Sequence, residues 1–269
     1  MPTVSPTFQY VWLIWASVFL LPWAALFAAR PTLRRPMLRA SALTSLFGLT
    51  EPLFVPAYWN PPTLFDLAHR TGFDIESLIF SFAIGGLAVA GYRVLAPAPE
   101  HILTPQERSI SLHRWHLVTL ASPFFVFGAL FLLPWNPIYP GIVALFVAAL
   151  ASCMCRPDLW RNTLVGGLVF FVFYTVFLLG LKWIWPGYIE AVWNLGDLIS
   201  WRPAGIPMEE LLFGAAFGLY WSSVYEHITW RQRDAVRLGL TTSNQQHNLN
   251  VTSTRERMHL VEGTGGHPN

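Results

Sequence analysis

The segment that decides the fold is Gly205-Ile206-Pro207-Met208-Glu209-Glu210-Leu211-Leu212-Phe213, in which two adjacent carboxylates open the last apolar stretch of the chain. Ionisable side chains are costly inside a bilayer, so a pair at the start of a membrane helix marks a candidate functional site. A related segment lies 133 residues earlier. The positions identical at this offset are Gly72 and Gly205, Glu76 and Glu209, Leu78 and Leu211, Phe80 and Phe213, Ala83 and Ala216, Gly85 and Gly218, and Tyr92 and Tyr225. We interpret them as an internal repeat.

The composition predicts an integral membrane protein. Of the 269 residues, 54% are hydrophobic and 12% are charged, whereas soluble domains carry about 25% charged residues. A helix of roughly 20 apolar residues crosses a bilayer core. The sequence predicts seven such segments, at 9–29, 40–58, 76–96, 115–134, 138–155, 163–184 and 207–228. The expected fold is therefore all-α and polytopic, with about seven transmembrane helices.

The basic residues predict how the chain lies in the membrane. With the first connection placed in the cytoplasm, 14 of the 17 Lys and Arg residues fall on that side, and only Arg70, Lys182 and Arg202 fall outside. Cytoplasmic loops carry an excess of such residues. We therefore expect a multi-pass protein of the cell's inner membrane, with the amino terminus outside and the carboxyl terminus in the cytoplasm.

A second repeated signature extends the repeat to three helices. Arg30-Pro31-Thr32-Leu33-Arg34-Arg35 after the first apolar segment matches Arg156-Pro157-Asp158-Leu159-Trp160-Arg161 after the fifth, at an offset of 126. Because each unit has an odd number of spans, a linking helix lets both units face the same way, which makes the repeat parallel. The predicted domains are a first three-helix unit at 1–96, a linking helix at 97–136, a second unit at 137–228, and a disordered cytoplasmic tail at 229–269.

The second predicted helix is the least regular one. Prolines at 52 and 56 interrupt it, and Glu51 lies in its outer half. Broken helix at membrane depth is tolerated only against protein or a cavity. The predicted outer connections contain Trp59, Trp185, Trp193 and Trp201, whose aromatic faces would stabilise a carbocation. Glu51 is thus a candidate neighbour of the carboxylates at the helix starts.

Glu76, Glu209 and Glu210 are the candidate catalytic residues. One interpretation is structural, because a carboxylate at a helix start interacts favourably with the helix dipole and caps free N–H groups. The functional interpretation rests on the repeat, which puts Phe80 and Phe213 one turn after matching acids, on one face. Neighbouring acids in a low-dielectric site keep one carboxyl protonated, whereas the helix start favours ionisation. The sequence leaves both outcomes open.

Other chemistry is weakly supported. His113 and His116 have a spacing compatible with metal ligation, but the adjacent Arg114 and Trp115 favour an interfacial anchor. We interpret Cys153 and Cys155 as structural, and no metal site is predicted. Scattered arginines argue against nucleic-acid binding, and the sequence has no Gly-x-Gly-x-x-Gly after a strand, so no cofactor is expected.

Pro207-Met208-Glu209-Glu210, on the third helix of a unit that occurs twice, resembles the membrane-integral, non-flavin lycopene cyclase domain family of carotenoid biosynthesis. That family is marked by Pro-x-Glu-Glu/Asp at a helix start, and its fused members join two such units by a linking helix. The first unit departs from the motif, with Asp74-Ile75-Glu76-Ser77. The resemblance covers about residues 9–228. It implies Glu209, Glu210 and Glu76 as catalytic, and we expect Phe80, Phe213, Pro207 and Glu51 to line the substrate site.

The reaction implied by the resemblance is an intramolecular lyase or isomerase step, a cyclisation of the lycopene to β-carotene type. An acid protonates the terminal double bond of an acyclic carotenoid, the neighbouring double bond attacks the cation, and a carboxylate removes a proton. No net redox change occurs. The expected partners are a hydrophobic isoprenoid from the bilayer and membrane lipid, with a homodimer left open.

The alternatives to cyclisation belong to several classes of protein. A carotenoid end-group hydratase would trap the same cation with water. A non-catalytic carotenoid- or lipid-binding protein, or a small transporter, is a different class, but transport predicts charges near the midplane of several helices, which are absent apart from Glu51. A retinal protein needs a lysine inside its last helix, whereas Lys182 is the only lysine.

Overall fold

A computed structural model of the chain describes residues 6–233. Its α-helices are α1 (Val11–Val18), α2 (Leu20–Ala29), α3 (Arg34–Ser45), α4 (Leu67–Thr71), α5 (Ile75–Leu95), α6 (Pro105–Arg108), α7 (His116–Phe131), α8 (Ile138–Cys155), α9 (Trp160–Ile184), α10 (Tyr188–Val192) and α11 (Met208–Thr229). Short 3-10 helices lie at Pro6–Phe8, Pro31–Leu33, Leu46–Leu53, Leu64–Asp66, Ser111–Trp115, Pro157–Leu159, Leu195–Asp197 and Pro203–Gly205. Strands β1 (Glu100–Ile102) and β2 (Arg231–Arg233) pair antiparallel.

Five helical segments within residues 6–233 are long and apolar enough to cross a membrane. They are Val11–Ala29, Ile75–Leu95, Ser111–Phe131, Ile138–Cys155 and Pro157–Ile184. The all-α class is confirmed, and the chain is a membrane protein. The other two predicted spans, 40–58 and 207–228, form helices but do not meet this standard of length and hydropathy.

The second predicted span begins earlier and ends sooner than expected. Helix α3 begins at Arg34, and after Ser45 the chain continues as a 3-10 helix to Leu53 with Pro52 inside it. Proline has no N–H for an α-helical hydrogen bond and its ring clashes with the preceding turn. The predicted irregularity is therefore observed, and it leaves α3 with only 12 residues.

Helix α11 is more polar than a lipid-facing span, and it is enclosed by other helices. It packs against α9, α8 and α5, and its last two turns bury Ser222, Ser223, Glu226 and His227. Polar side chains are accommodated in a membrane helix when they face the bundle interior. By contrast, Leu117 and Leu132 at the two ends of α7 are 78% and 84% exposed, as expected for residues that face lipid.

The two Arg-Pro turns have the same backbone conformation. Arg30 follows α2 with φ −127° and ψ 83°, and Arg156 follows α8 with φ −129° and ψ 77°. A 3-10 helix comes next in both cases, and α3 and α9 begin directly after it. Gly72 before α5 and Gly205 before α11 are likewise alike, with φ values of 82° and 80°.

Two pairs of helices pack through glycine contacts at matching positions. Helix α5 packs on α3 with Gly85 against Thr44, and α11 packs on α9 with Gly218 against Phe170. Gly85 and Gly218 are 133 residues apart, and Thr44 and Phe170 are 126 residues apart, which are the two offsets found in the sequence. A Cβ atom on Gly218 would lie 2.8 Å from the carbonyl oxygen of Gly167. Glycine is therefore needed here for close approach of the two helices.

Charged residues tie the chain together at the end of the bundle opposite the Glu209 and Glu210 pair. The Arg93 guanidinium lies 2.9 Å from Glu226 and 2.8 Å from Glu100. Strand β1, which carries Glu100, pairs with β2 directly after α11. The disordered tail was predicted to begin at 229, but the folded part reaches residue 233. The remainder of that predicted tail lies outside the described residues.

Candidate active site

The start of α11 buries both carboxylates of the motif. Pro207 is the buried N-cap residue, and Glu209 and Glu210 lie in the first turn, 0% and 6% exposed. Their hydrogen-bond partners in the structure come from other elements of the chain rather than from the free N–H groups of α11. The carboxylates therefore connect α11 to its surroundings.

Glu209 has one satisfied and one unsatisfied oxygen. Its Oε1 accepts hydrogen bonds from the Tyr139 hydroxyl at 2.6 Å and from the backbone N–H of Ile199 at 2.7 Å. Its Oε2 is buried and has no hydrogen-bond partner among residues 6–233. A charged oxygen in that state is costly, because burial removes its water without replacing the hydrogen bonds.

Glu210 is bound by hydrogen-bond donors on both oxygens. The Tyr58 hydroxyl at 2.6 Å and the Trp193 indole N–H at 2.9 Å donate to Oε1, and the Tyr174 hydroxyl at 2.6 Å donates to Oε2. These donors are buried. Three donors aimed at one carboxyl group stabilise its charged form. The two adjacent acids thus have opposite hydrogen-bond environments.

Glu76 in the first unit resembles Glu209 in its contacts. Its Oε1 accepts from the backbone N–H of Leu64 at 2.7 Å, as Glu209 accepts from Ile199, and its Oε2 is buried without a partner in the described part of the chain. Helix α5 is capped by Asp74 instead, whose carboxylate accepts from the Ser77 N–H at 2.5 Å. The capping interpretation therefore does not apply to Glu76, and Asp74 is a buried cap.

Glu51 lies with the acids of the first unit. It is 7% exposed and is near Asp74, Glu76 and the Ser77 side chain. The predicted clustering of Glu51 with a helix-start acid is therefore observed, although its neighbours are on α5 rather than α11. Trp59 is a further neighbour of Glu51.

A tryptophan pair joins the two acidic groups. Trp59, beside Glu51, and Trp193, which donates to Glu210, form an isolated antiparallel bridge, and their rings lie 5.3 Å apart. The bridge is flanked by hydrogen bonds from the Asn60 N–H to the Val192 carbonyl and from the Asn194 N–H to the Tyr58 carbonyl, at 2.8 and 2.9 Å. The connection that leads to α5 and the connection that leads to α11 are therefore paired with each other near the starts of these two helices.

The two predicted aromatic residues meet at Tyr174. The ring of Phe80 lies 6.3 Å from that of Tyr174, and the ring of Phe213 lies 5.9 Å from it. Trp12 and Phe19 of the first helical segment contact Phe80 at 5.3 and 5.4 Å. Rings from the first helical segment, α5 and α11 thus form one aromatic cluster with Tyr174, whose hydroxyl binds Glu210.

Sequence reasoning missed the tyrosines that bind the acids. Tyr58, Tyr139 and Tyr174 are respectively 152, 70 and 36 residues from their glutamate partners. No spacing rule connects residues that far apart. The only available signal was Trp193, which lies in an outer connection that the predicted topology puts beside the carboxylates.

Residues 136–228 match the family model of lycopene cyclase. The match covers α8, α9 and α11, and thus the whole of the predicted second unit, with both glutamates of the motif. No curated protein and no solved structure matches the chain. The resemblance inferred from the sequence is therefore confirmed at the level of the family over residues 136–228, and this match supports a link to carotenoid biosynthesis.

The residues that match the lycopene cyclase model contain only part of the observed site. Glu209, Glu210, Tyr139, Tyr174 and Trp193 lie inside residues 136–228. The first half of the chain supplies the Tyr58 hydroxyl on Glu210 and the rings of Trp12, Phe19 and Phe80. The second unit's acids are therefore enclosed by residues from both halves.

Proposed function

We propose that this protein cyclises an end group of an acyclic carotenoid, in a reaction of the lycopene to β-carotene type with no net redox change. The observation that carries the proposal is the contrast between Glu209 and Glu210. A proton on Oε2 of Glu209 removes the cost of an unpaired buried charge. Glu210, bound by three donors, is suited to remain a carboxylate.

The contrast assigns different roles to the two acids. Glu209 donates its Oε2 proton to the terminal double bond, which leaves a tertiary carbocation, and the neighbouring double bond attacks that cation to close the ring. Glu210 stabilises the positive charge and accepts the proton whose loss creates the ring double bond, and return of that proton from Glu210 to Glu209 restores both acids for the next turnover. One proton is gained and one is lost, so the product is an isomer of the substrate.

The surrounding rings support a cationic intermediate. Phe80, Phe213 and Tyr174 present aromatic faces close to Glu210, and such faces attract cations most strongly where water is excluded. The burial of both acids also keeps water away from the cation, which favours cyclisation over hydration. A long hydrocarbon substrate would enter from the bilayer rather than from water.

The two halves of the chain are proposed to be repeated units, 1–96 and 137–228, joined by a linking helix in 97–136. The proposal is supported by the matching Arg-Pro turns, the matching glycine contacts and the like contacts of Glu76 and Glu209. Ser77 stands where the second unit has Glu210. Because the first unit lacks the second acid, we propose that Glu76 supports the site and that the second unit performs the protonation.

The membrane orientation is a further part of the proposal. The carboxylates would lie near the outer face and the arginine-rich end in the cytoplasm, as the positive-inside rule predicts. A fluorescent protein fused after residue 233 should fold and fluoresce in the cytoplasm of a bacterial host. A secreted phosphatase fused at the same place should be inactive, and an active phosphatase would reverse the orientation.

Pigment analysis tests the reaction. Bacteria that accumulate lycopene should make cyclic carotenoids when they express the chain, and Glu209→Gln and Glu210→Gln should each abolish them. Glu190→Gln, a change of an exposed glutamate on α10, is the matched control and should keep full activity. Glu76→Gln should reduce cyclisation without abolishing it.

Other products would point to other functions. Hydroxylated acyclic carotenoids would support an end-group hydratase. Unchanged lycopene from a well-expressed, membrane-inserted chain would contradict the cyclase proposal and favour a non-catalytic carotenoid- or lipid-binding protein.

A further inference from the structure

A second cluster of reactive side chains lies at the end of the bundle away from Glu209 and Glu210. His116 is the first residue of α7, Cys155 is the last residue of α8, and His227 lies in the last turn of α11. One nitrogen of each histidine and the sulfur of Cys155 all lie within 4.8 Å of one another. Three helices that are distant in sequence therefore bring two imidazoles and a thiol together.

The spacing fits tetrahedral coordination. Zinc lies about 2.3 Å from sulfur and about 2.0–2.1 Å from imidazole nitrogen, so ligands of one tetrahedral ion are separated by roughly 3.3–3.6 Å. The Cys155 sulfur lies 3.7 Å from Nδ1 of His116. The ligand nitrogen of His227 lies within 4.8 Å of the other two ligand atoms, so small side-chain adjustments would bring it to the same separation from them.

Burial supplies an independent observation. His227 is 0% exposed, and neither of its ring nitrogens has a hydrogen-bond partner within residues 6–233. Leaving a buried polar group unsatisfied costs about 1–3 kcal/mol. A metal ion bound to one ring nitrogen of His227 removes this cost for that nitrogen.

The surrounding charges are compatible with a cation. Arg156 lies near both histidines, but its guanidinium forms a two-point ion pair with Asp158 at 2.8 and 2.6 Å. That pairing offsets the repulsion that a lone arginine would exert. A thiolate at Cys155 would contribute the negative charge that a divalent ion requires.

We propose that His116, Cys155 and His227 form a metal-binding site for a borderline cation of the Zn²⁺ class, with water as the fourth ligand. Two nitrogens and one sulfur suit such ions, whereas Mg²⁺ and Ca²⁺ prefer oxygen ligands. The site clamps the linking helix α7 to α8 and α11. It also anchors the far end of the helix that carries Glu209, roughly 27 Å away at 1.5 Å per residue.

The chain contains its own control for this proposal. Cys153 precedes Cys155 by two residues on the same helix and is not part of the cluster. The full chain, purified in detergent and stripped of metal by chelation, is titrated with Co²⁺ as a spectroscopic substitute for Zn²⁺. We expect one equivalent to bind with a thiolate-to-cobalt charge-transfer band, and competition by Zn²⁺ should remove that band.

Variants locate the ligands. Cys155→Ser should lose the charge-transfer band, His116→Gln and His227→Gln should weaken Co²⁺ binding at least tenfold, and Cys153→Ser should bind like the unchanged chain. Zn²⁺ at 100 times its dissociation constant should raise the melting temperature of the unchanged chain by about 5 °C. Cys155→Ser should melt at the same temperature with and without metal.

Two results would overturn the proposal. One is the absence of a cobalt band from a folded, metal-stripped chain, and the other is equal loss of the band in Cys153→Ser and Cys155→Ser. If a histidine variant fails to fold, the titration of the unchanged chain and of Cys153→Ser still decides the question. Because binding is measured without carotenoid, the metal site and the cyclase proposal fail or hold separately.

Discussion

Replacing Tyr174 by phenylalanine tests the proposed role of Glu210 most directly. The Tyr174 hydroxyl donates to Oε2 of Glu210 at 2.6 Å. Within the described residues, this oxygen accepts its hydrogen bond from Tyr174. Tyr174→Phe keeps the ring and its contacts with Phe80 and Phe213 but removes that donor. The change therefore isolates one hydrogen bond from the aromatic cluster.

The magnitude follows from the kind of bond that is lost. Hydrogen bonds to charged groups contribute about 1.5–3 kcal/mol. If Glu210 carries its charge in the transition state, loss of this bond should slow cyclisation about 10- to 150-fold. Tyr58→Phe should cost less, about 2- to 10-fold, because the Trp193 indole N–H at 2.9 Å still donates to Oε1.

The assay is the initial rate of cyclic product from lycopene in isolated membranes, normalised to the amount of folded chain. Tyr188→Phe is the matched control, since its buried hydroxyl has no hydrogen-bond partner in the described region and its loss should leave the rate unchanged. An unchanged rate for Tyr174→Phe alongside an inactive Glu210→Gln would refute the reasoning. So would a larger loss from Tyr188→Phe than from Tyr174→Phe.

Two further predictions concern stability. Gly218→Ala should lower the thermal stability and the yield of folded chain, because the added Cβ would press against the carbonyl oxygen of Gly167. Gly128→Ala is the control: its Cβ would meet nothing within 4 Å, so the change should be neutral or slightly stabilising. Glu226→Gln should destabilise the chain by about 3 kcal/mol, measured by thermal unfolding in detergent, because it leaves Arg93 buried with one fewer carboxylate. Equal melting temperatures for the two glycine variants, or an unchanged one for Glu226→Gln, would contradict these packing and charge arguments.

The order of residues was enough to predict the all-α class, which the structure confirms, and to propose a candidate site at the start of the last helix. Hydropathy located the five segments within residues 6–233 that are long and apolar enough to cross a membrane, because lipid-facing and buried apolar side chains both form long hydrophobic runs. The Pro-x-Glu-Glu motif gave the resemblance to the lycopene cyclase family, whose model matches residues 136–228, and an acid pair at the start of a membrane helix is costly, which marked it as a candidate site. The offset of 126 between the Arg-Pro turns and the offset of 133 between the helix-start glutamates predict the repeat, because both are visible in the order of residues alone.

Hydropathy alone could not distinguish a lipid-facing helix from a helix enclosed by the bundle. Helix α11 is too polar to meet the standard of a free span, yet its polar residues are buried against neighbouring helices. The length of α3 was also mispredicted, because the sequence did not show that the helix would start at Arg34 and change to 3-10 geometry before Pro52. The burial of α11 depends on what packs against the helix, whereas the shortening of α3 follows from the proline at position 52.

Only the tertiary structure decided which residues act together. Tyr58, Tyr139 and Tyr174 reach the glutamates from distant parts of the chain, and His116, Cys155 and His227 meet at the other end of the bundle. Such contacts arise from helix crossings and loop closures, which leave no local spacing in the sequence. The physical reason is that burial and hydrogen bonding are properties of the assembled environment, whereas helix formation and membrane preference are encoded locally along the chain.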